Sequence, residues 1–200
     1  MEVVFHGSHK KSLWETDLIE LKDKTHKVSV LMGAYNCSDT LETAIISIQK
    51  QTYDNWEIIL CDDGSTDDTY KVAKRLADAD SRIILLRNEK NEGLNKTLNH
   101  CLKVSKGDYI ARMDGDDESE PERFQKQIDF LERNTEYAFV STPMILFDQT
   151  GDWGKTKVVE SPTIEQVVTG TPFCHAPVMI RKKEFRKGRW IYREKTDVTG

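Results

Sequence analysis

Short apolar runs that suit buried strands alternate with longer helical patterns along most of this chain. The runs are residues 27–32, 56–61, 82–86 and 108–112, and apolar residues at helical spacing follow each of them. Strands that alternate with helices in this way form right-handed crossovers and a mainly parallel sheet covered on both faces. The sequence therefore predicts an α/β fold.

Polar loops follow three of the four predicted strands. GAYN follows the first strand, DDGSTDD the second and DGDD the fourth. In an open parallel sheet, ligands bind outside the carboxyl ends of the strands. We therefore expect these three loops to line one cleft.

The acidic loop places Asp114, Asp116 and Asp117 directly after a buried strand. Repulsion between like charges at this spacing would raise some of their pKa values unless a cation lies between them. Hard oxygen ligands favour Mg²⁺ or Mn²⁺, which commonly take one or two carboxylates and complete their shell with substrate phosphates. The neighbouring acids suit a solvated turn and an acidic helix start; these are Glu118, Glu120 and Glu122.

Composition and residue spacing exclude several classes of function. The chain has 34 acidic and 29 basic residues, and its net charge of −5 argues against a nucleic-acid partner. Four dispersed cysteines without a CxxC pair indicate reduced thiols in a cytoplasmic protein. His6 and His9 have no second pair with which to complete a metal site, and no apolar run is long enough to span a membrane.

Three other motifs fail on specific residues. A calcium loop starting at Asp114 would need a glycine at position 119 and a glutamate at position 125, where Ser119 and Gln125 stand. GAYN has neither the glycines and lysine of a P-loop nor the GxGxxG pattern of a dinucleotide fold. The glycine-rich basic loop of a nucleotidyltransferase is also absent after the first strand.

Several motifs together resemble glycosyltransferase family 2, in the order that this family has them. They are SVLMGAYNCSDTLETAIISIQKQTYDNWEIILCDDGSTDDT, NEGLNKTLN, GDYIARMDGDD and CHAPVMIRK, and they extend from about Lys27 to Lys183. The resemblance implies the GT-A fold, a Rossmann-like and mainly parallel α/β sheet. It also implies an inverting enzyme that uses a nucleotide-sugar donor.

The resemblance assigns nucleotide contacts to the first two loops. The Ala34-Tyr35-Asn36 turn is similar to the loop that holds the base, with the Tyr35 ring available for stacking. Asp63 resembles the carboxylate that accepts from the imide N–H of uracil, which favours UDP over GDP but does not separate UDP from dTDP. Asp62 either contacts the nucleotide or anchors the loop.

Asp114-Gly115-Asp116 resembles the DxD motif of the family. The resemblance implies that Asp116 ligates Mn²⁺ or Mg²⁺ and that Asp117 serves as a second ligand. Asp114 would contact the ribose or reach the ion through water. A fixed cation offsets the negative charge that a departing diphosphate gains.

The two ends of the chain leave alternatives open. Residues 1–26 are interpreted as a lead-in before the domain at 27–200, and they either form a helix packed on that domain or a flexible segment. Residues 181–195 form either a surface helix and turn or a basic, aromatic patch that contacts anionic lipid or a lipid-linked acceptor.

Inverting transfer also needs a general base on the acceptor side. In the family this is an acidic residue after the stretch that CHAPVMIRK resembles, so we expect the base beyond Gly200 and a domain truncated at its C-terminal end. Asp197 and Glu194 are the alternatives within the chain, and His175 is interpreted as a residue that shapes the pocket.

The sequence thus predicts a cytoplasmic glycosyltransferase domain, or one peripheral to the inner face of the cell membrane. Its donor would be a UDP-sugar, and its acceptor a glycan or a lipid-linked sugar in cell-surface polysaccharide synthesis. Two other classes remain: a nucleotide-sugar binding module without activity, and a nucleotidyltransferase.

Overall fold

The computed structural model describes residues 3–4, 26–157, 159, 162–163, 165–166 and 172–186. The interpretations of His6, His9, Glu194 and Asp197, and of most of the segments 1–26 and 181–195, therefore lie outside the described residues.

The described residues alternate strands and helices up to position 133. The strands are β1 (Val3–Val4), β2 (Val28–Ala34), β3 (Trp56–Asp62), β4 (Ile83–Arg87), β5 (Tyr109–Arg112), β6 (Phe139–Ser141), β7 (Ile145–Asp148), β8 (Gly151–Lys155) and β9 (Met179–Arg181). The helices are α1 (Leu41–Gln49), α2 (Thr69–Ala79), α3 (Leu94–Val104), α4 (Arg123–Arg133) and α5 (Lys182–Arg186). The four predicted strands and the helices after them are all present, with shifts of one or two residues at most strand ends.

Seven strands form one sheet in the order β1-β6-β9-β5-β2-β3-β4. Strands β5, β2, β3 and β4 are mutually parallel, whereas β9 pairs antiparallel with both β5 and β6. It follows that β6 runs in the same direction as β5, and that their carboxyl ends lie at the same edge. The mainly parallel sheet is confirmed; strands β7 and β8 form a separate two-stranded sheet.

Side-chain alternation along β2 divides the core between the two faces of the sheet. Val30 and Met32 pack with residues of α1, α2 and α4, whereas Leu31 packs with residues of α3 and with Phe185 of α5. All three β2 side chains are fully buried. The predicted covering of helices on both faces is confirmed.

Two local features connect distant parts of the chain to the sheet. Gly107 follows α3, which stops at Val104, and a β-carbon there would lie 2.5 Å from the backbone nitrogen of Ser29, so glycine permits a close approach to β2. Val3 and Val4 pair with β6, so this part of the predicted lead-in belongs to the domain sheet.

No helix among the described residues is long and apolar enough to cross a membrane.

Candidate nucleotide-sugar site

The loops after β2 and β3 are joined by hydrogen bonds at the carboxyl edge of the sheet. The backbone N–H groups of Asn36 and Cys37 donate to the hydroxyl oxygens of Ser65 and Thr69, at 3.0 and 2.8 Å. The Asn36 side chain accepts from the Thr66 N–H at 2.9 Å. The two loops therefore form one rigid wall, from which the Tyr35 ring projects with 47% of its surface exposed.

Two backbone conformations make this wall possible. Asn36 adopts a φ of 50°, in the left-handed region that asparagine tolerates better than most residues. Gly64 adopts a φ of 69°, and a β-carbon there would lie 2.5 Å from the carbonyl carbon of Lys90. Only glycine allows the loop after β3 to pack this closely on the loop after β4.

Asp62 is fully buried at the end of β3. Its carboxylate accepts from Arg87 Nε at 3.2 Å and from the Ser65 N–H at 3.4 Å. The Arg87 guanidinium also lies 4.0 Å from the centre of the Tyr70 ring. This arrangement supports the alternative in which Asp62 anchors the loop, because a fully buried carboxylate presents no surface to a ligand.

Asp63 is 4% exposed and is surrounded by protein donors. Its carboxylate accepts from Asn88 Nδ2 at 2.7 Å, from the Glu92 N–H at 2.9 Å and from the Gly93 N–H at 3.0 Å. Asn88 Nδ2 also donates to the Thr97 hydroxyl at 3.0 Å, which brings Thr97 of α3 beside the same carboxylate. Burial raises the pKa of Asp63, but these bonds outweigh it and hold the pKa below its usual range.

The Asp63 carboxylate therefore already organises the loop at 88–93. A carboxylate offers about four lone-pair sites, and three protein N–H groups occupy most of them here. With 4% of its surface exposed, Asp63 would accept from a uracil imide, as the sequence resemblance implies, only at the remaining site or by releasing a present donor.

The acidic loop after β5 packs directly on the loop after β2. The Thr40 hydroxyl donates to the carbonyl oxygen of Gly115 at 2.9 Å. A β-carbon at Gly115 would lie 3.0 Å from Cys37 Sγ, so a larger residue would separate the two loops. The structure thus brings the predicted nucleotide loop and the predicted DxD loop into contact.

Two arginines lie beneath the acidic loop. Arg112 Nη2 donates to both carboxylate oxygens of Asp114, at 2.9 and 3.1 Å. Arg123 is 8% exposed and donates to the Arg112 carbonyl oxygen at 2.7 Å. Burial lowers the pKa of Arg123 to about 10, and Asp117 opposes that shift. The repulsion expected from the sequence is therefore partly offset by the protein itself.

Among the described residues, no arginine donates a hydrogen bond to Asp116 or Asp117, the other two aspartates of this loop. Asp116 is exposed, and Asp117 is half-buried. Burial raises the pKa of Asp117, as do the charges of Asp114 and Asp116, while Arg112 and Arg123 lower it. Carboxylates under this repulsion gain from a cation.

The fit to a metal can be judged from these donors. Within the described part of the chain, no group of three or more His, Cys, Asp or Glu side chains is arranged to hold an ion. The loop instead fits a hard cation that takes one or two carboxylates and depends on a ligand's phosphates for the rest. Asp116 and Asp117 suit this better than Asp114, whose oxygens are engaged by Arg112.

His175 lies on the segment that leads into β9, which pairs with β5 on the side away from β2. Burial and the positive charge of Arg112 lower its pKa, and Asp114 partly opposes them. Its ring centre is 5.7 Å from that of Phe173, and the residue is exposed. Its role in shaping the pocket stays a prediction.

Arg112, Asn88 and Thr97 are among the residues of this site that were not assigned a role from the sequence. Arg112 had a recognisable signal, because a buried strand that ends in arginine directly before an acidic run suggests charge compensation. Asn88 and Thr97 had none, since Asn88 reaches Asp63 through the pairing of β4 with β3, and Thr97 lies beside them only when α3 folds over the sheet.

The fold is that of the GT-A glycosyltransferases. Crystal structures of S. aureus TarS 1-349 in complex with UDP superpose with a TM-score of 0.65 at 18% identity, over 86% of this chain and 52% of TarS. Mannosyltransferase PcManGT from Pyrobaculum calidifontis, in complex with GDP-Man and Mn²⁺, gives a TM-score of 0.60 at 18% identity, over 85% of this chain and 49% of that one.

The family profile described as "Glycosyl transferase family 2" matches residues 29–199. The chain belongs to glycosyl transferase family 2. It is 49% identical to the putative glycosyltransferase EpsE of Bacillus subtilis (strain 168), over 80% of this chain and 58% of EpsE. It is also 41% identical to the Escherichia coli UDP-Glc:alpha-D-GlcNAc-diphosphoundecaprenol beta-1,3-glucosyltransferase WfaP, over 68% of this chain and 51% of WfaP. The chain thus spans between one half and three fifths of the length of these relatives.

Proposed function

We propose that this protein transfers a sugar, with inversion, from a UDP-sugar to a glycan or lipid-linked acceptor. The observation that carries this proposal is the contact between the loop after β2 and the acidic loop, made by Thr40 and Gly115. It sets an exposed aromatic ring, Tyr35, and two available carboxylates at one edge of the sheet. That combination suits a nucleotide base at one end and a diphosphate at the other.

The wall would bind the base of the donor, and the acidic loop would bind its ribose and diphosphate. Tyr35 would stack on the base, and the backbone of Ala34 and Asn36 would border it. Gly115 would let the acidic loop pack against Cys37 and so keep the carboxylates for the diphosphate next to the nucleotide loop. Asp114, oriented by Arg112, would face the ribose.

Asp116 and Asp117 would hold Mn²⁺ or Mg²⁺. When bound, such an ion supplies positive charge to the leaving diphosphate. PcManGT, which shares this fold, was crystallised with Mn²⁺. The half-buried Arg112 adds a fixed positive charge below the same loop, and it acts whether or not the ion is present.

The base that removes the proton from the acceptor hydroxyl belongs on the other side of the sugar. Asp114, Asp116 and Asp117 lie on the diphosphate side, so they do not suit this role. We look for the base outside the described residues, where Asp197 and Glu194 are candidates and a residue beyond position 200 of a longer protein is another.

The relatives support a setting in cell-surface polysaccharide synthesis. WfaP is named as a glucosyltransferase that uses UDP-Glc and a diphosphoundecaprenol-linked acceptor, and another relative is named for teichuronic acid biosynthesis. By analogy we place the protein in the cytoplasm, with its acceptor at the inner face of the membrane.

The test is a transfer assay with labelled UDP-Glc, UDP-GlcNAc and GDP-Man in the presence of Mn²⁺. We expect UDP-sugar turnover that a chelator stops. Binding of UDP-sugar without turnover, with every acceptor supplied, would indicate a binding module instead. Exchange of labelled pyrophosphate into UTP would indicate a nucleotidyltransferase.

A further inference from the structure

Strands β7 and β8 form a hairpin, here called the rim hairpin, that carries three exposed large apolar side chains. Ile145, Phe147 and Trp153 are 46%, 51% and 64% exposed. Single exposed apolar residues are common on protein surfaces, but three large ones within the eleven positions of one hairpin are a concentration that is typical of a binding surface.

The rim hairpin stands beside the candidate donor site. It follows β6, whose carboxyl end lies at the same sheet edge as the acidic loop, because β6 and β5 both run antiparallel to β9. The topology therefore places the hairpin at the border of the cleft, on the side away from β2 and the nucleotide loop.

Hydrogen bonds join the base of the hairpin to the segment that carries His175. Thr156 accepts from the Met144 N–H at 2.7 Å and lies 3.0 Å from Cys174 Sγ. Ser141 donates to the Cys174 carbonyl oxygen at 2.7 Å. The same segment reaches β5 at Val178, whose carbonyl oxygen accepts from the Arg112 N–H at 2.9 Å, so these contacts lead from the hairpin to the residues beneath the acidic loop. Trp153 is three residues, about 10 Å of strand, from Thr156.

The charges of the hairpin are balanced. Asp148 and Asp152 lie near the turn, and Lys155 and Lys157 follow at the base. Asp148 accepts from the backbone N–H and the hydroxyl of Thr150, at 2.7 and 2.6 Å, which fixes the turn. An anionic bilayer surface would favour an excess of lysine and arginine, and the hairpin has none.

Exposed aromatic rings among carboxylates, hydroxyls and amines suit a carbohydrate. The face of an aromatic ring is negative and attracts the polarised C–H groups on the apolar face of a sugar ring. The sugar's hydroxyl groups require polar partners around that contact, and Phe147 lies opposite Asp152 in the β7–β8 register.

We propose that the rim hairpin is a subsite for the glycan portion of the acceptor, with Trp153 and Phe147 as its stacking surfaces. This rests on the proposed glycosyltransferase function. It commits to a sugar as the occupant, rather than to a lipid surface or a polypeptide.

The test replaces each aromatic ring with an aliphatic side chain. Trp153→Leu and Phe147→Leu keep an apolar surface but remove the ring face, whereas Trp153→Tyr keeps a ring. Gln149→Ala, on the exposed turn, is the matched control. The probes are maltotriose and triacetylchitotriose, with affinity measured by calorimetry and ligand-observed NMR. UDP–Mn²⁺ affinity and the melting temperature are measured on the same proteins.

We expect at least one trisaccharide to bind the unaltered protein, and both leucine variants to bind it about tenfold more weakly. The tyrosine and Gln149→Ala variants should stay within about twofold of the unaltered protein, and UDP–Mn²⁺ affinity should be unchanged in all of them. In a transfer assay with a saccharide acceptor, the leucine variants should raise the acceptor KM more than they lower kcat.

Other outcomes overturn the proposal. If no trisaccharide binds, or if the leucine variants bind it as tightly as the unaltered protein, the occupant of the hairpin is not a sugar. If the protein co-sediments with vesicles of neutral and anionic phospholipid, and the leucine variants do so as well as the unaltered protein, the hairpin contacts lipid through its apolar area and not through its rings. A fall in melting temperature in both leucine variants, without a change in sugar affinity, would indicate that the patch packs against polypeptide. Failure of the donor to bind would refute the proposed function but leave ring-dependent trisaccharide binding intact.

Discussion

Arg112 holds both carboxylate oxygens of Asp114 through one nitrogen, Nη2, at 2.9 and 3.1 Å. Its Nε is buried and has no hydrogen-bond partner among the described residues. A buried donor without a partner is uncommon in a folded protein and calls for an explanation. In our account, Arg112 is positioned for two tasks: it keeps Asp114 from the metal and supplies positive charge to a bound diphosphate.

Arg112→Gln should therefore shift two affinities in opposite directions. Removing a positive charge makes the acidic loop more negative, so Mn²⁺ alone should bind about three- to tenfold more tightly. UDP measured at saturating Mn²⁺ should bind more weakly, because the diphosphate loses an attractive charge. Calorimetry with each ligand separately gives both values.

The control for this experiment is Arg133→Gln, which makes the same charge change at the exposed far end of α4. The end of this eleven-residue helix is about 15 Å from its start beside the acidic loop. Arg133→Gln should change neither the affinity for Mn²⁺ nor the affinity for UDP appreciably. If Arg112→Gln weakened both ligands equally, Arg112 would be a structural residue of the loop and nothing more.

Asp116→Ala tests the predicted metal ligand. It should abolish the additional thermal stabilisation that Mn²⁺ gives in the presence of UDP, since binding stabilises the folded state in proportion to affinity and concentration. The protein without ligand should melt at nearly the same temperature, because Asp116 is exposed. Glu118→Ala, also exposed on the same loop, should behave like the unaltered protein. Retention of full UDP–Mn²⁺ binding by Asp116→Ala would show that the ion does not use this carboxylate.

Asp63→Asn separates an organising role from base recognition. The asparagine amide has one oxygen and one NH2 group, so its NH2 group would face the N–H of either Glu92 or Gly93, and the free energy of unfolding should fall by about 1–3 kcal/mol. Urea unfolding measures this. If Asp63 only contacts the base, the free energy of unfolding should stay unchanged, and the affinity for UDP should fall much more than the affinity for pyrophosphate. If both affinities fall equally, Asp63 acts on the phosphates or the metal instead.

Asp67 links the first two loops and gives a pH-dependent prediction. It accepts from Thr69 and from the Ser38 N–H, and these bonds lower its pKa to about 2. A carboxylate whose pKa is lower in the folded state stabilises the fold above its unfolded pKa, and this contribution is lost as the pH falls towards 2. The melting temperature of Asp67→Asn should thus fall below that of the unaltered protein at pH 7. The difference should shrink between about pH 4 and pH 2; a constant difference would exclude the carboxylate charge as its cause.

Much of the parallel half of the fold was predictable from the sequence, because each unit there is local. Strands β2 to β5 are short apolar runs, and α1 to α4 carry regular apolar stripes. Strands β6 and β9 were not predicted. Each has three residues, too few for a period to be distinguished, and each is defined by pairing with residues far along the chain: β9 pairs Met179 with Ala111 and with Val140.

The candidate site was predictable to a similar extent. The three loops and their acids were visible because parallel strands share a carboxyl edge. The hydrogen-bond donors that pair with each acid could not be predicted, because they belong to other elements of the fold. Asp63 illustrates this: its donors Asn88, Glu92 and Gly93 all come from the loop at 88–93, and they change a residue assigned to the nucleotide into one that also organises the loop.

The nucleotide-sugar site is tested most directly by a calorimetric titration of UDP into the protein, with Mn²⁺ and then with a chelator. We expect UDP to bind at least tenfold more tightly with Mn²⁺, equivalent to about 1.4 kcal/mol, and a UDP-sugar to compete for the same site. Absence of UDP binding in the presence of Mn²⁺, or binding of equal strength in the chelator, would contradict this expectation.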